Sequence, residues 1–139
     1  MSTKIVIQNK ISAIKKYVSI LKRYDRYSQK KLEQDIDIRG AVERYLYLAV
    51  QSVIDCAEAV IALKKFRKPT TISDTFYILQ EEDVLSSNLT NELVKMAGFR
   101  NIIAHDYEKI DYGIVYDILH HKRSDIRAFI KIITAYCRL

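Results

Sequence analysis

The chain has 139 residues, 49% of them hydrophobic, with three glycines, one proline and a formal charge of +6 at pH 7. That is enough chain for one domain with its own core, and so few helix breakers argue against a turn-rich sheet protein. The two cysteines do not have the spacing of a disulfide framework or a metal pair, no signal-like run opens the chain, and no stretch approaches 18 uncharged apolar residues, so a cytoplasmic protein without a membrane partner is expected.

Ile7, Ile11, Ile14, Val18 and Leu21 alternate steps of four and three, the seam of a packed helix flanked by Tyr17 and Tyr24. Residues Gln29 to Asp35 break that rhythm with polar and charged side chains and read as a connection, in part helical. A second helix follows on Val42, Leu46, Ala49, Val53, Cys56, Val60 and Leu63. Leu48, Ile54, Ala57 and Ile61 widen its apolar surface, so it should pack against several neighbours. It is expected to end at the basic cluster before Pro69. Thr71 and Asp74 have capping-box spacing for a short helix that turns Phe76 and Leu79 inward. Ser86, Ser87 or Asn88 caps the helix carrying Leu89 to Ala104, in which Gly98 predicts the close approach of a neighbour. The last helix reads Val115, Leu119, Lys122, Ile126, Phe129, Ile133 and Tyr136, with one charged interruption beside His120 and His121. Together these predict a single all-α domain over residues 1–139, a bundle of about five helices. Helices so long in so small a chain further predict a two-fold homodimer.

Cationic residues cluster in three places: through the first third of the chain, at Lys64, Lys65, Arg67 and Lys68, and at His120, His121, Lys122 and Arg123. Such charge attracts polyanions, although solvated helix faces carry it too. There is no zinc-finger spacing, Walker loop, dinucleotide fingerprint or EF-hand loop. Adjacent histidines diverge on a helix, and the acidic groups Asp35/Asp37 and Glu81/Glu82/Asp83 read as surface charge. No metal site and no cofactor is expected.

The chemistry concentrates at Arg100-Asn101-Ile102-Ile103-Ala104-His105-Asp106-Tyr107. The stripe Leu89, Leu93, Met96 continues to 100, 103 and 107, setting Arg100 and Tyr107 among hydrophobic residues. A guanidinium in such a stripe must be paired, hydrated in a cleft or covered by a partner. Asn101 and His105 are four apart and share a helix face, whereas Arg100 and His105 diverge by about 140° on an ideal helix. Their cooperation therefore requires the helix to end or tighten near His105, and Asp106, Glu108 and Asp111 suggest an exit there. Histidine exchanges protons near neutral pH and arginine grips phosphate, the ingredients for cutting RNA without a metal. One imidazole would deprotonate the 2′-hydroxyl, and a cation would stabilise the attacked phosphorus. A single motif histidine cannot serve comfortably as both base and acid, so a second copy from a dimer would complete the cleft. The residues alone also allow His105 to be a helix-terminal histidine and Arg100 to be tied to Asp55 or Glu58. Noncatalytic binding of nucleotide or RNA, and a structural role beside an enzyme, stay open on the same basis.

Arg-x4-His-x-Tyr within MAGFRNIIAHDY resembles the signature of HEPN-domain toxins of the HepT type. Arg44-Tyr45-Leu46, Leu48-Ala49-Val50, Ile54-Asp55-Cys56-Ala57, Ile110-Asp111-Tyr112 and Val115-Tyr116 extend the likeness over nearly the whole chain. The resemblance implies a HEPN-like bundle forming two-fold dimers, with Arg100 and His105 as the ribonuclease pair, Asn101 as the polar residue beside the arginine and Asp106 in support. It also implies a partner: a minimal nucleotidyltransferase antitoxin that would use ATP and Mg to transfer AMP to Tyr107. AMP on Tyr107 would bring negative charge and bulk to the cleft and repel an RNA backbone.

Overall fold

The computed structural model describes the backbone from Thr3 to Leu139, and everything in it is helical or loop. α1 (Thr3–Lys22) buries Ile7, Ile11, Ile14, Val18 and Leu21, the seam expected of it, along α3 (Ile36–Lys64). Between them lies α2 (Gln29–Gln34), in the segment expected to be a connection. Ser28 caps it by accepting from the Lys31 N–H at 3.1 Å, and Leu32, fully buried, pins it to the bundle. One apolar residue leaves no period to read, so sequence pattern gave this helix no signal. Asp35 closes α2 and opens α3, its carboxylate accepting from the backbone of Asp37 at 3.1 Å and Ile38 at 3.2 Å. The hydrogen bond from Ile38 is the main reason its carboxyl sits below the ordinary range.

α3 is the central element and packs against α1, α2, α4 and α5, as its broad apolar surface requires. After Arg44 it carries only Asp55 and Glu58 before Lys64. It is therefore long and apolar enough to cross a membrane by length and composition alone, but its charges interrupt the apolar run and 56% of its most apolar window is buried within the bundle, as in a core helix. It ends at Lys64, with Lys65 in the left-handed region at φ 58°. Thr71 caps α4 (Ile72–Glu81), accepting from the Asp74 N–H at 3.0 Å. The Asp74 carboxylate accepts in turn from Thr70 N–H at 3.0 Å rather than from Thr71. Ser86 caps α5 (Ser87–His105) through the Leu89 N–H at 3.2 Å.

After a 3-10 turn at Tyr107–Lys109, α6 (Tyr112–Asp117) passes through a π turn at Ile118–Lys122 into α7 (Arg123–Tyr136). The wide turn absorbs the charged interruption in the sequence pattern. Leu119 and Ile126 stay fully buried on either side, while Lys122 leaves the core and meets Glu92 of α5 at 3.2 Å. Counting α6, the π turn and α7 as one run, the described residues form six helical segments, the short α2 being the addition to the expected five. Gly98 departs from expectation more sharply, since a Cβ there would meet nothing within 4 Å. Cys56 and Cys137 are buried and unbonded, and burial pushes the Cys56 thiol up to about 12.

Candidate active site

α5 buries Leu89, Leu93 and Met96 in register, and Arg100 and Ile103 continue the stripe half-buried. It stops at His105, where the Asp106 N–H bonds Ile102 O at 2.9 Å. Tyr107 therefore leaves the helix and does not extend the stripe, standing 50% exposed in the 3-10 turn. The helix thus ends at His105, as expected, but Arg100 lies a full turn inside it, so the angular divergence persists and no hydrogen bond joins the two among the described residues.

A third side chain closes that gap. Arg100 Nη2 donates to the hydroxyl of Tyr47 on α3 at 3.2 Å, and its guanidinium lies 5.0 Å from the centre of the Tyr47 ring. Its Nη1 donates to Asn101 Oδ1, while Nε is buried without a hydrogen-bond partner. Asp55, one of the two carboxylates offered by sequence, is engaged instead by Lys10 at 3.5 Å and Gln51 at 2.8 Å. Axial rise explains why: eight residues separate Tyr47 from Asp55 on α3, about 12 Å along the helix.

Tyr47 and His105 both line an open pocket of about 470 Å³ between the first half of α3 and the end of α5, together with Gly40, Glu43, Arg44 and Tyr107. His105 is exposed on its rim and Arg100 stands behind Tyr47 rather than in the lining. Asp106 is exposed, does not line the pocket, and meets Lys109 at 3.8 Å.

Beneath Tyr107 lies a carboxylate that sequence reasoning missed. Glu43 is 5% exposed and accepts from the Tyr112 hydroxyl at 2.9 Å, with Arg39 Nε at 3.9 Å. A hydrogen bond with Glu43, then burial, raises the Tyr107 phenol above its ordinary pKa. Burial first, then Glu43, raises Tyr112 further. The signal was present in α3: Gly40, Glu43, Arg44 and Tyr47 follow helical spacing, a polar stripe on a helix otherwise apolar on several sides.

The other histidines lie elsewhere. His121 Nδ1 is 3.0 Å from Asp117, and His120 stacks 4.0 Å from Tyr116 with a buried, unpartnered Nε2. No cluster of three His, Cys, Asp or Glu suited to a metal ion occurs among the described residues. The pocket thus offers Arg44, a titratable imidazole and an exposed phenol, with Arg100 held half-buried behind Tyr47. These are groups able to hold a phosphodiester and move a proton beside it.

An all-helical bundle with an Arg-x4-His helix opening on a pocket that holds an arginine, a histidine and a phenol defines a class, and comparison with known proteins gives it a family. A family model described as Ribonuclease HepT-like matches residues 8–133, and the chain belongs to that family. It is similar to an mRNA nuclease HepT of Shewanella oneidensis, 30% identical over 131 residues, covering 94% of this chain and 97% of the relative. A tRNA nuclease HepT of Aphanizomenon flos-aquae is 23% identical over 132 residues, 95% of this chain and 90% of its own length. Among solved structures, a tri-AMPylated Shewanella oneidensis HEPN toxin in complex with an MNT antitoxin superposes with a TM-score of 0.86 at 28% identity, covering 94% of this chain and 97% of that one.

Proposed function

We propose that the chain is a cytoplasmic, metal-independent endoribonuclease toxin, a single HEPN-like domain acting as a two-fold homodimer. The observation that carries this reading is the Arg100–Tyr47 contact, which fixes a guanidinium against the wall of the pocket on whose rim His105 stands open. Membership of the HepT-like ribonuclease family supports it.

Arg100 and His105 are the catalytic pair, with Asn101 holding the guanidinium and Asp106 closing the helix behind the imidazole. The imidazole of His105 takes the proton of a ribose 2′-hydroxyl, and the freed oxygen attacks the adjacent phosphorus. Arginine stabilises the charge gathering on the nonbridging oxygens. The bond to the 5′-oxygen breaks and that oxygen takes up a proton, leaving a 2′,3′-cyclic phosphate and a 5′-hydroxyl. His105 is the only histidine lining the pocket among the described residues, so a second copy of it across the dimer supplies the leaving-group proton.

The partner is a minimal nucleotidyltransferase antitoxin that uses ATP and Mg to place AMP on Tyr107. The exposure of that ring at the pocket mouth and the AMPylated state of the solved relative support this assignment. AMP there puts negative charge and bulk where an RNA strand must enter.

The test is cleavage of cellular RNA in EDTA by wild type, Arg100→Ala and His105→Ala, with mapping of the end chemistry. Cyclic phosphate ends made only by wild type are expected. RNA binding without cleavage by wild type would instead make the chain a noncatalytic binding module. Cleavage retained in both variants would move catalysis elsewhere.

A further inference from the structure

α1 and α7 enclose a second groove, unrelated to the Arg100–His105 pocket. It consists of two adjoining hollows of about 470 and 700 Å³ that share Lys15, Arg127 and Ile130. Lys15 and Lys22 on α1 face Arg123, Arg127 and Lys131 along α7 and Arg138 just past its end. Arg123 is held, donating to Asp25 at 2.9 Å and to Leu119 O at 2.8 Å. The other five are exposed and have no carboxylate partner among the described residues.

Unneutralised cations so close together repel one another, an arrangement stabilised when an anion lies between them. The two helices keep carboxylates out of the groove. α1 contains no Asp or Glu, and the only one in α7, Asp125, lies toward Glu92 and Lys122, on the α5 side. Arg123, Arg127 and Lys131 repeat every four residues, a ladder with rungs about 6 Å apart. The floor is Val18 and Ile130, and the side-chain hydroxyls of Ser19 and Thr134 lie along it. Among the described residues no aromatic ring lines either hollow, so the groove offers nothing for bases to stack on.

We infer that the α1–α7 groove is an RNA-backbone track, a second binding site that holds the phosphates of the substrate strand outside the cleavage pocket. A row of like charges at regular intervals complements a chain of phosphates. A protein surface would present carboxylates interleaved with cations and would be expected to meet acidic residues in the groove as well. Because the contacts are to phosphate, the track does not depend on base sequence. This inference rests on the ribonuclease reading, since it assigns RNA as the ligand.

The test measures binding of a labelled single-stranded RNA oligonucleotide by the full chain in a His105→Ala background, across a salt series. Charge neutralisation by Lys15→Gln, Arg127→Gln and Lys131→Gln together is compared with reversal of the same three residues to Glu. Arg123 is left intact because it ties α7 to Asp25. Circular dichroism and melting establish that each variant folds. Losing three phosphate contacts should weaken binding at least about tenfold and reduce the logarithmic salt slope by about 2. With His105 restored, the Gln variant should cut a dinucleotide substrate as fast as wild type, because so short a substrate cannot reach the groove. Unchanged affinity and slope in folded variants, beside a wild type that binds and cleaves, overturns the track and leaves the ribonuclease reading standing. Unchanged RNA affinity with loss of nucleotidyltransferase binding also overturns it and makes the groove a protein-docking face. A wild type that neither binds nor cleaves RNA removes the ribonuclease reading, and the track with it.

Discussion

Arg100 and Tyr47 meet twice, through a hydrogen bond of 3.2 Å to the phenol oxygen and a guanidinium stacked 5.0 Å from the ring centre. One interaction fixes direction and the other fixes depth, so the arginine cannot swing away without losing both. The expected consequence separates by substitution. Tyr47→Phe keeps the ring and loses the acceptor, and a hydrogen bond to a charged group is worth about 1.5–3 kcal/mol, so single-turnover cleavage should fall about tenfold or more. Tyr47→Ala loses both and should fall further. Full activity in Tyr47→Phe would show that the hydroxyl does not position Arg100.

Tyr107 stands over Glu43, and that carboxylate is the main reason its phenol is harder to ionise than usual. Glu43→Gln should bring the phenol back toward 10.0, read from the NMR titration of labelled tyrosine. Tyr107→Phe tests the proposed modification separately. It should retain cleavage of RNA while resisting AMP transfer, as judged by intact mass and by escape from inhibition. Loss of cleavage in that variant would mean the hydroxyl also contacts the substrate.

The sequence disclosed the long seams and the capping signals because each repeats or has a fixed offset. Ile7 through Leu21 needed only a period, and Thr71 with Asp74 needed only a spacing. It disclosed Arg100 and His105 because they share one short run. The polar stripe on α3 placed Tyr47 on one face with Glu43 but could not pair it with Arg100, 53 residues away, and it read as one more tyrosine among ten. The partner of Glu43 was hidden for a related reason. A buried carboxylate makes sense only once Tyr112, 69 residues away, is seen to satisfy it. Tyr107 was misplaced because the helix pattern was extrapolated two residues past the real end of α5.

Gly98 lies exposed inside α5, and an added Cβ meets nothing within 4 Å. An isolated protomer should therefore gain from Gly98→Ala, because glycine in a helix interior costs about 0.5–1 kcal/mol relative to alanine. The melting temperature should rise by roughly 2–4 °C. Sedimentation carries the second readout. If the substitution instead lowers the melting temperature and splits the proposed dimer, a second chain occupies the space above Gly98, and the close neighbour missing from the protomer is supplied by the assembly.

Arg67 donates to Asp74 at 2.8 Å and to Glu81 at 2.6 Å, tying the loop after α3 to both ends of α4. The Arg67 guanidinium, then the Thr70 N–H, holds the Asp74 carboxyl at about 2, below its ordinary 3.8, and Arg67 also lowers Glu81. A depressed carboxyl pKa favours folding while the group is ionised. The contribution is therefore complete above the unfolded value and disappears as pH falls from about 4 toward 2. Melting temperature followed through that window should drop more steeply in wild type than in Arg67→Ala. The difference should shrink at high salt, because all three groups face solvent and such pairs are strongly screened. Asp74→Asn should also flatten the acid limb, because it removes the Asp74 titration with its Thr70 contribution and leaves only the Arg67–Glu81 pair. Parallel acid limbs in wild type and both variants would mean that this charge cluster adds nothing to folding.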